Sequence, residues 1–256
     1  MARAMLAVSL ALPFALVGGS PASAAVGTAI TACRTTISAP GFYYLATNFA
    51  CISGDDGIQI TASNVQLSLD GHTITGADGG AIGIYVKKAS SVVIQGPGTI
   101  TDFSQGIVFD GVQQSRVSGI TVTSNIEGFL VRNFLAVPSQ GNSFMGNTAS
   151  SNFDNGFFIG GSGHNVLTDN TAVGNDTIGI YIATGAVNTV RGSTANLNAV
   201  YGILVDAGAT GSVIQANTAK TNGIDDLVDN NPNCGTDHWQ GNTFDPGKAS
   251  PAPCIH

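Results

Sequence analysis

Apolar residues in this chain recur by strand-like alternation, in short runs, with no sustained helical spacing. From Gly57 onward a unit of the form Gly, apolar, variable, apolar returns at Gly83, Gly106, Gly128, Gly156, Gly179 and Gly202. The last three copies are spaced at 23 residues and read GFFIGGSGHNVLTDNTAVGNDTI, GIYIATGAVNTVRGSTANLNAVY and the start of GILV. Each continues through a small-residue turn, a short pair (Val166-Leu167, Thr189-Val190, Val213-Ile214) and a Thr-Ala step. A fixed period carried by strand signals predicts a solenoid, and three short strands per copy predict the coil of a parallel β-helix. Two asparagine columns run through the copies. One holds Asn147, Asn170, Ser193 and Asn217, and the other Asn152, Asn175, Asn198 and Asn222. If the coils stack, each column becomes a ladder of side-chain amides about 4.8 Å apart, each donating to one neighbour and accepting from the other. Asn also tolerates the left-handed backbone of sharp turns.

Alternation assigns faces. Residues one and three after each Gly form the core, and residues two and four point outward. The second position gives Gln59, Tyr85, Val108, Leu130, Phe158, Tyr181 and Leu204, an apolar and aromatic outer stripe. The fourth places Lys87, Asp110 and Arg132 on three adjacent coils with alternating charge. Tyr85, Phe158 and Tyr181 are therefore candidate ligand-binding residues, since a sugar needs an apolar face for its ring and polar groups at its rim. As a bare surface ladder, the three charges would be worth little. The step from Gly128 to Gly156 is longer than the others, and the surplus around Asn133 to Gly141 reads as a projecting loop.

The chain has 256 residues, and its length and pattern divide it into a secretory signal over 1–24, an N-terminal cap over 25–52, the β-helix over 53–225, and a last coil with a C-terminal cap over 226–256. The signal rests on Arg3, the apolar run Leu6 to Val17 and the small residues Ala22-Ser23-Ala24. That run is short for a bilayer span, and the mature chain offers no other. Acids outnumber bases 16 to 9, which argues against nucleic acid as a partner. Cys33 and Cys51 precede the repeats, and Cys234 and Cys254 follow them. Of the three pairings, 33–51 and 234–254 are expected, each closing a local loop at one end of the rod. Disulfides agree with a secreted or periplasmic location. Nothing in the pattern specifies an oligomer.

The segments SGDDGI, LSLDGHTITG, the GIYV and GILV heads, the GNTA steps and NCGTDHWQGNTF resemble those of the right-handed parallel β-helix proteins of the pectin-lyase-like type. Among these the chain looks similar to secreted repeat proteins of the NosD type, NosD being a periplasmic protein of copper-site assembly. The resemblance implies an all-β, single-stranded right-handed solenoid of about eight coils, capped at both ends. It specifies a fold far better than a reaction. The polygalacturonases of this fold carry a Gly-Asp-Asp step and a nearby Gly-His. Here Asp55, Asp56 and His72 match those pieces, while the partner Asn-Thr-Asp and Arg-Ile-Lys motifs are missing. The lyases use Ca²⁺ held by Asp clusters and a basic residue as proton acceptor. Lys87 or Arg132 would be that base with Asp110 as orienter, and Ca²⁺ would be the cofactor, although no Asp cluster of suitable spacing lies in the central coils. The NosD likeness implies an accessory role toward copper or partner proteins. His72, His164, His238 and His256 form no close pair, so no metal ligand and no cofactor is assigned. The reading that follows is a secreted, mainly non-catalytic protein that binds a polysaccharide on its outer face. A lyase or hydrolase is the first alternative and a NosD-like accessory protein the second.

Overall fold

The computed structural model describes residues 27–77, 81–251 and 253–256. The expected signal segment, 1–24, lies outside the described residues. Among the described residues, thirty-one short strands form a parallel solenoid with three long sheets of ten, nine and ten strands and one separate pair, Gly185–Ala186 with Ala209–Thr210. One coil shows the plan. Gln105–Asp110 lies in the head sheet, which carries the Gly heads; Arg116–Ser118 lies in a middle sheet; Thr121–Thr123 lies in a third. The chain then returns to the head sheet one step along at Glu127–Arg132. The coils number about nine rather than eight. Thr28–Ile30 and Thr35–Ile37 pair into the middle and head sheets, and His238–Gln240 and Ala249–Ser250 extend the same sheets at the far end.

The predicted faces hold. Ile84, Ile107, Phe129, Phe157, Ile180, Ile203 and Leu227 stack in register inside the rod. Phe129 and Phe157 stack flat at 4.5 Å between ring centres, a contact worth more than its area alone. The head glycines are required by close approach. A Cβ on Gly156 would lie 2.7 Å from the carbonyl oxygen of Gly179, and one on Gly179 would lie 2.7 Å from that of Gly202. Both expected disulfides form, Cys33–Cys51 and Cys234–Cys254.

Both predicted amide ladders form, and a third stands beside them. In the first, Asn147 Nδ2 donates to Asn170 Oδ1 at 3.1 Å, and Ser193 and Asn217 continue the column through backbone N–H donation. In the second, Asn125, Asn152, Asn175, Asn198 and Asn222 run unbroken, with Asn175 Nδ2 to Asn198 Oδ1 at 2.9 Å. The third joins Asn142, Asn165 and Asn188, with Ser115 donating its N–H at one end; it breaks at the other, where Asn188 makes no bond to Ser212, whose Oγ is buried without a partner among the described residues. All of these asparagines are buried, and the second amide hydrogen of each goes to a backbone carbonyl, as from Asn175 to Ala149. The left-handed residue is the one before each Asn, where the sequence reading placed it on the Asn itself. Ser151, His164, Asp169, Val187, Leu197 and Thr221 all have φ between 53° and 59°.

The third sheet has an outer column of a single residue type. Thr73, Thr99, Thr121, Thr148, Thr171, Thr194, Thr218 and Thr243 lie in register, one per coil.

Asn170→Ala strips a buried N–H and a carbonyl of their partners and is expected to cost about 2–4 kcal/mol in denaturant unfolding. Asn170→Ser is expected to cost less than half of that, because Ser193 already serves as the acceptor in the same column. Val187→Gly should be neutral or stabilising, since a β-branched residue at φ 59° is strained.

Candidate functional site

The outer face of the head sheet collects the aromatic, cationic and acidic side chains that the alternation places outward. Tyr85, Val108, Leu130, Phe158, Tyr181 and Leu204 lie in register along it, as expected. The stripe is not continuously exposed, however. Val108 is 0% and Leu130 8% exposed, because neighbouring side chains lie down over them. Tyr85, Phe158 and Tyr181 are half-buried. Phe158 packs edge-on against Tyr181 with ring centres 5.1 Å apart, and it leans over Gly160, where a Cβ would meet the ring at 2.5 Å. Ile178, Leu204 and Val228, with Tyr181 and Tyr201 against them, form a small second apolar cluster outside the rod.

The charged column is a knot rather than a surface ladder. Asp110 is only 4% exposed. Its Oδ2 accepts from Tyr85 Oη at 2.9 Å and from Arg132 Nη2 at 3.2 Å. Its Oδ1 is buried and has no partner among the described residues. Lys87 takes no carboxylate among the described residues; its ammonium stands 5.7 Å from the centre of the Tyr85 ring and 4.8 Å from that of Phe134. Lys88 approaches Phe134 from 4.1 Å. Phe134 belongs to the long loop after Arg132, which closes on itself through paired Phe134–Val137 backbone bonds and sits over Gly111. The loop therefore lies beside Lys87 and Lys88, and Asn133 at its start accepts from Ser162 Oγ at 3.3 Å. Burial first, then the bond to Asp110 and its charge, push the Tyr85 hydroxyl above its ordinary pKa.

The same diagonal contact recurs toward the far end. Tyr181 Oη donates to Asp206 Oδ2 at 2.7 Å, and burial with that carboxylate raises Tyr181 to about 12. Asp206 also accepts from Asn230 Nδ2 at 2.9 Å, which holds its carboxyl below the usual range. A residue that the sequence reading passed over lies between the two contacts. Glu127 precedes its head Gly at the start of the strand Glu127–Arg132. Burial, followed by the nearby Asp154 carboxylate, raises it to about 8. Its Oε1 is buried without a partner among the described residues, and Asn155 Nδ2 reaches its Oε2 at 3.5 Å. The signal available in sequence was a lone Glu in a chain whose other acids are all Asp.

The polygalacturonase-like residues are not assembled. Asp56 Oδ1 takes the N–H of Ile82 at 2.9 Å, and Asp55 pairs with Arg34 at 3.6 Å, both at the start of the head sheet. His72 bonds Asn48 Oδ1 through Nδ1 at 3.0 Å beside the third sheet. No three His, Cys, Asp or Glu side chains come together as a metal-binding group among the described residues.

Stacked coils, three sheets and buried amide ladders define a right-handed parallel β-solenoid. The chain belongs to the right-handed β-helix family, whose model matches residues 56–245. No curated protein shows a significant sequence match. Solved structures share the fold at low identity. An alginate lyase from Paenibacillus sp. is 14% identical over 83% of this chain and 93% of its own, with a TM-score of 0.60. The periplasmic alginate epimerase AlgG is 14% identical over 80% of this chain and 51% of its own, at 0.58. The pectate lyase Pel9A is 17% identical over 82% of this chain and 70% of its own, at 0.52. The chain thus spans about half the length of the epimerase.

Glu127 makes stability depend on pH. Its folded pKa of about 8 exceeds the ordinary 4.5, so its contribution is full below the lower value and is lost as pH rises toward the upper. The thermal midpoint should fall by a few degrees between these two pH values in the parent, and the Glu127→Gln variant should show a shallower fall.

Proposed function

We propose that this protein is exported and binds a polysaccharide along the outer face of its head sheet, without turning it over. The observation that carries this reading is the placing of half-buried Tyr85, Phe158 and Tyr181 on one face with Lys87, Arg132 and the Asp110 knot at its edge. Each ring edge offers apolar surface to a sugar; the hydroxyls of Tyr85 and Tyr181 are already fixed by carboxylates and Phe158 is packed against Tyr181, so little rotamer freedom remains to be lost on binding. Lys87, Lys88 and the half-exposed Arg132 form a local cationic rim on a chain of net charge −7. That rim favours a uronate-type polymer, and the chain's overall charge makes its approach slower at low salt. Two disulfides support an extracellular or periplasmic setting.

A polysaccharide lyase is the second reading, favoured by the alginate and pectate enzymes among the structural neighbours. Proton abstraction next to a uronate carboxyl needs a base near neutral pH. Tyr85 holds its proton more tightly than an ordinary tyrosine and gives its hydrogen bond to Asp110, which suits a fixed donor better than a base.

Retention of the protein on immobilised alginate, polygalacturonate and neutral glucans separates the readings. Tyr85→Ala with Tyr181→Ala is expected to weaken retention on the preferred polymer by about tenfold or more, with the fold unchanged by circular dichroism. No retention of the parent on any polymer would reject binding, and growth of the ultraviolet absorbance of unsaturated uronates would establish the lyase.

A further inference from the structure

We infer that the third sheet of the solenoid is an ice-binding face. The inference is independent of the head sheet and of the polysaccharide reading, since the two faces share no side chain.

The threonine column occupies eight successive strands without a break. A second outer column beside it begins Thr75, Thr101, Thr123, Ser150. Over four coils the face is therefore a two-dimensional array of hydroxyls. Its repeats are about 4.8 Å from coil to coil and about 6.6 Å along each strand. Strand propensity alone does not explain this composition. It acts equally on all three sheets, yet the corresponding outer column of the middle sheet reads Val93, Arg116, Ser143, Val166, Thr189 and Val213. One column of the third sheet keeps a single residue type over eight strands, whereas its second passes from Ser150 to Val173, Asn196 and Lys220.

The array is also held rigid. Asn147 and Asn152 bracket the strand Thr148–Ser150, and their two buried ladders run up either side of the sheet. Side-chain ladders of this kind are what keep a many-stranded sheet flat. Threonine is stiff at χ1 and stands nearly perpendicular to a sheet, so its methyl and hydroxyl keep fixed positions. No hydroxyl of the long column has a protein partner among the described residues, whereas in the second column Thr101 donates to Asp102 and Ser150 to Thr123. Those of the long column are left to water.

The charge pattern selects the occupant. On a chain of net charge −7, the two columns carry a single charged side chain, Lys220, at the far end. The only carboxylate bonded to a hydroxyl of these columns among the described residues is Asp102, at Thr101, so most of the face holds no tightly hydrated ion that would disorder a lattice and offers little to an ionic partner. Nor is it an apolar patch of the kind that binds protein, because every second group is a hydroxyl. What fits is a neutral, periodic surface of donors and acceptors with repeats on this scale. Hexagonal ice is such a surface: water held over the methyls and bonded to the hydroxyls is already ordered before it joins the crystal.

The test uses the whole disulfide-bonded protein in dilute buffer. We expect a gap between melting and freezing points, suppressed recrystallisation, and incorporation of the labelled protein into a slowly grown ice hemisphere. Thr121→Tyr with Thr148→Tyr places two outward rings in the middle of the array and should abolish all three. Val166→Lys on the middle sheet should leave them unchanged, and circular dichroism should report the same fold for all. Exclusion of the parent from ice with no freezing gap would overturn the inference. So would undiminished activity in the double variant, or adsorption to crystalline cellulose or chitin by a parent that ice excludes.

Discussion

The hydrogen bond from one buried asparagine amide to the next is the interaction on which the rest of this rod depends. A parallel solenoid must turn a corner three times per coil, and at each corner the backbone leaves the sheet with an N–H unpaired. Here the carboxamide oxygen of the following coil accepts that N–H, as Asn152 does for Asn125 and Asn170 does for Asn147. The same side chain then donates both hydrogens, one onward and one to a carbonyl. An unsatisfied buried polar group would cost as much as a good hydrogen bond gains. The ladder therefore sets the corner's position in the sequence as well as its stability. It also tolerates local strain: Val187 and Leu197 occupy left-handed positions suited to glycine because the next residue locks the turn.

With the corners fixed, the three outer faces are free to differ. The middle sheet is mixed, the third sheet is hydroxylic, and the head sheet is aromatic and charged. On the head sheet the outward residues do not stand alone. Two tyrosines reach diagonally to a carboxylate on the next coil, Tyr85 to Asp110 and Tyr181 to Asp206. The contact spans two outer columns as well as two coils, so the face behaves as a woven surface rather than as separate stripes.

The fold was legible because its period is carried by residues that physics restricts: glycine where a carbonyl fills the place of Cβ, and asparagine where an amide must bridge. Two ladders were visible as equal spacings. The third was legible too, one step of five residues earlier, as Asn142, Asn147 and Asn152 show, but Ser115 and Ser212 obscure its ends. The disulfides followed from loop closure. The site was less legible. Alternation says which way Val108 and Leu130 point and says nothing of what lies over them. Asp110 was read as one rung of a surface ladder because its burial depends on Tyr85, Arg132 and the unrepeated loop, whose path no period fixes. Glu127 lies on the near side of its Gly head, outside the two positions that the alternation rule assigned to the surface.

The ladders also have a direction. Asn147, Asn152, Asn175 and Asn198 each donate one amide hydrogen toward the C-terminal end, and the partner at that end need only accept. One of the three columns finishes on a carboxylate, Asn222 donating to Asp226 Oδ1, and beyond the break in another Ser212 donates its N–H to Asp237 Oδ1. A carboxylate receives but has no hydrogen to pass on. These two aspartates therefore act as stop signals for a structure that could otherwise go on repeating. Copying a unit between residues 142 and 222 lengthens the rod without disturbing either end, whereas a coil appended beyond Asp237 would find no donor to continue from. The number of turns is thus written at the point where amide gives way to acid.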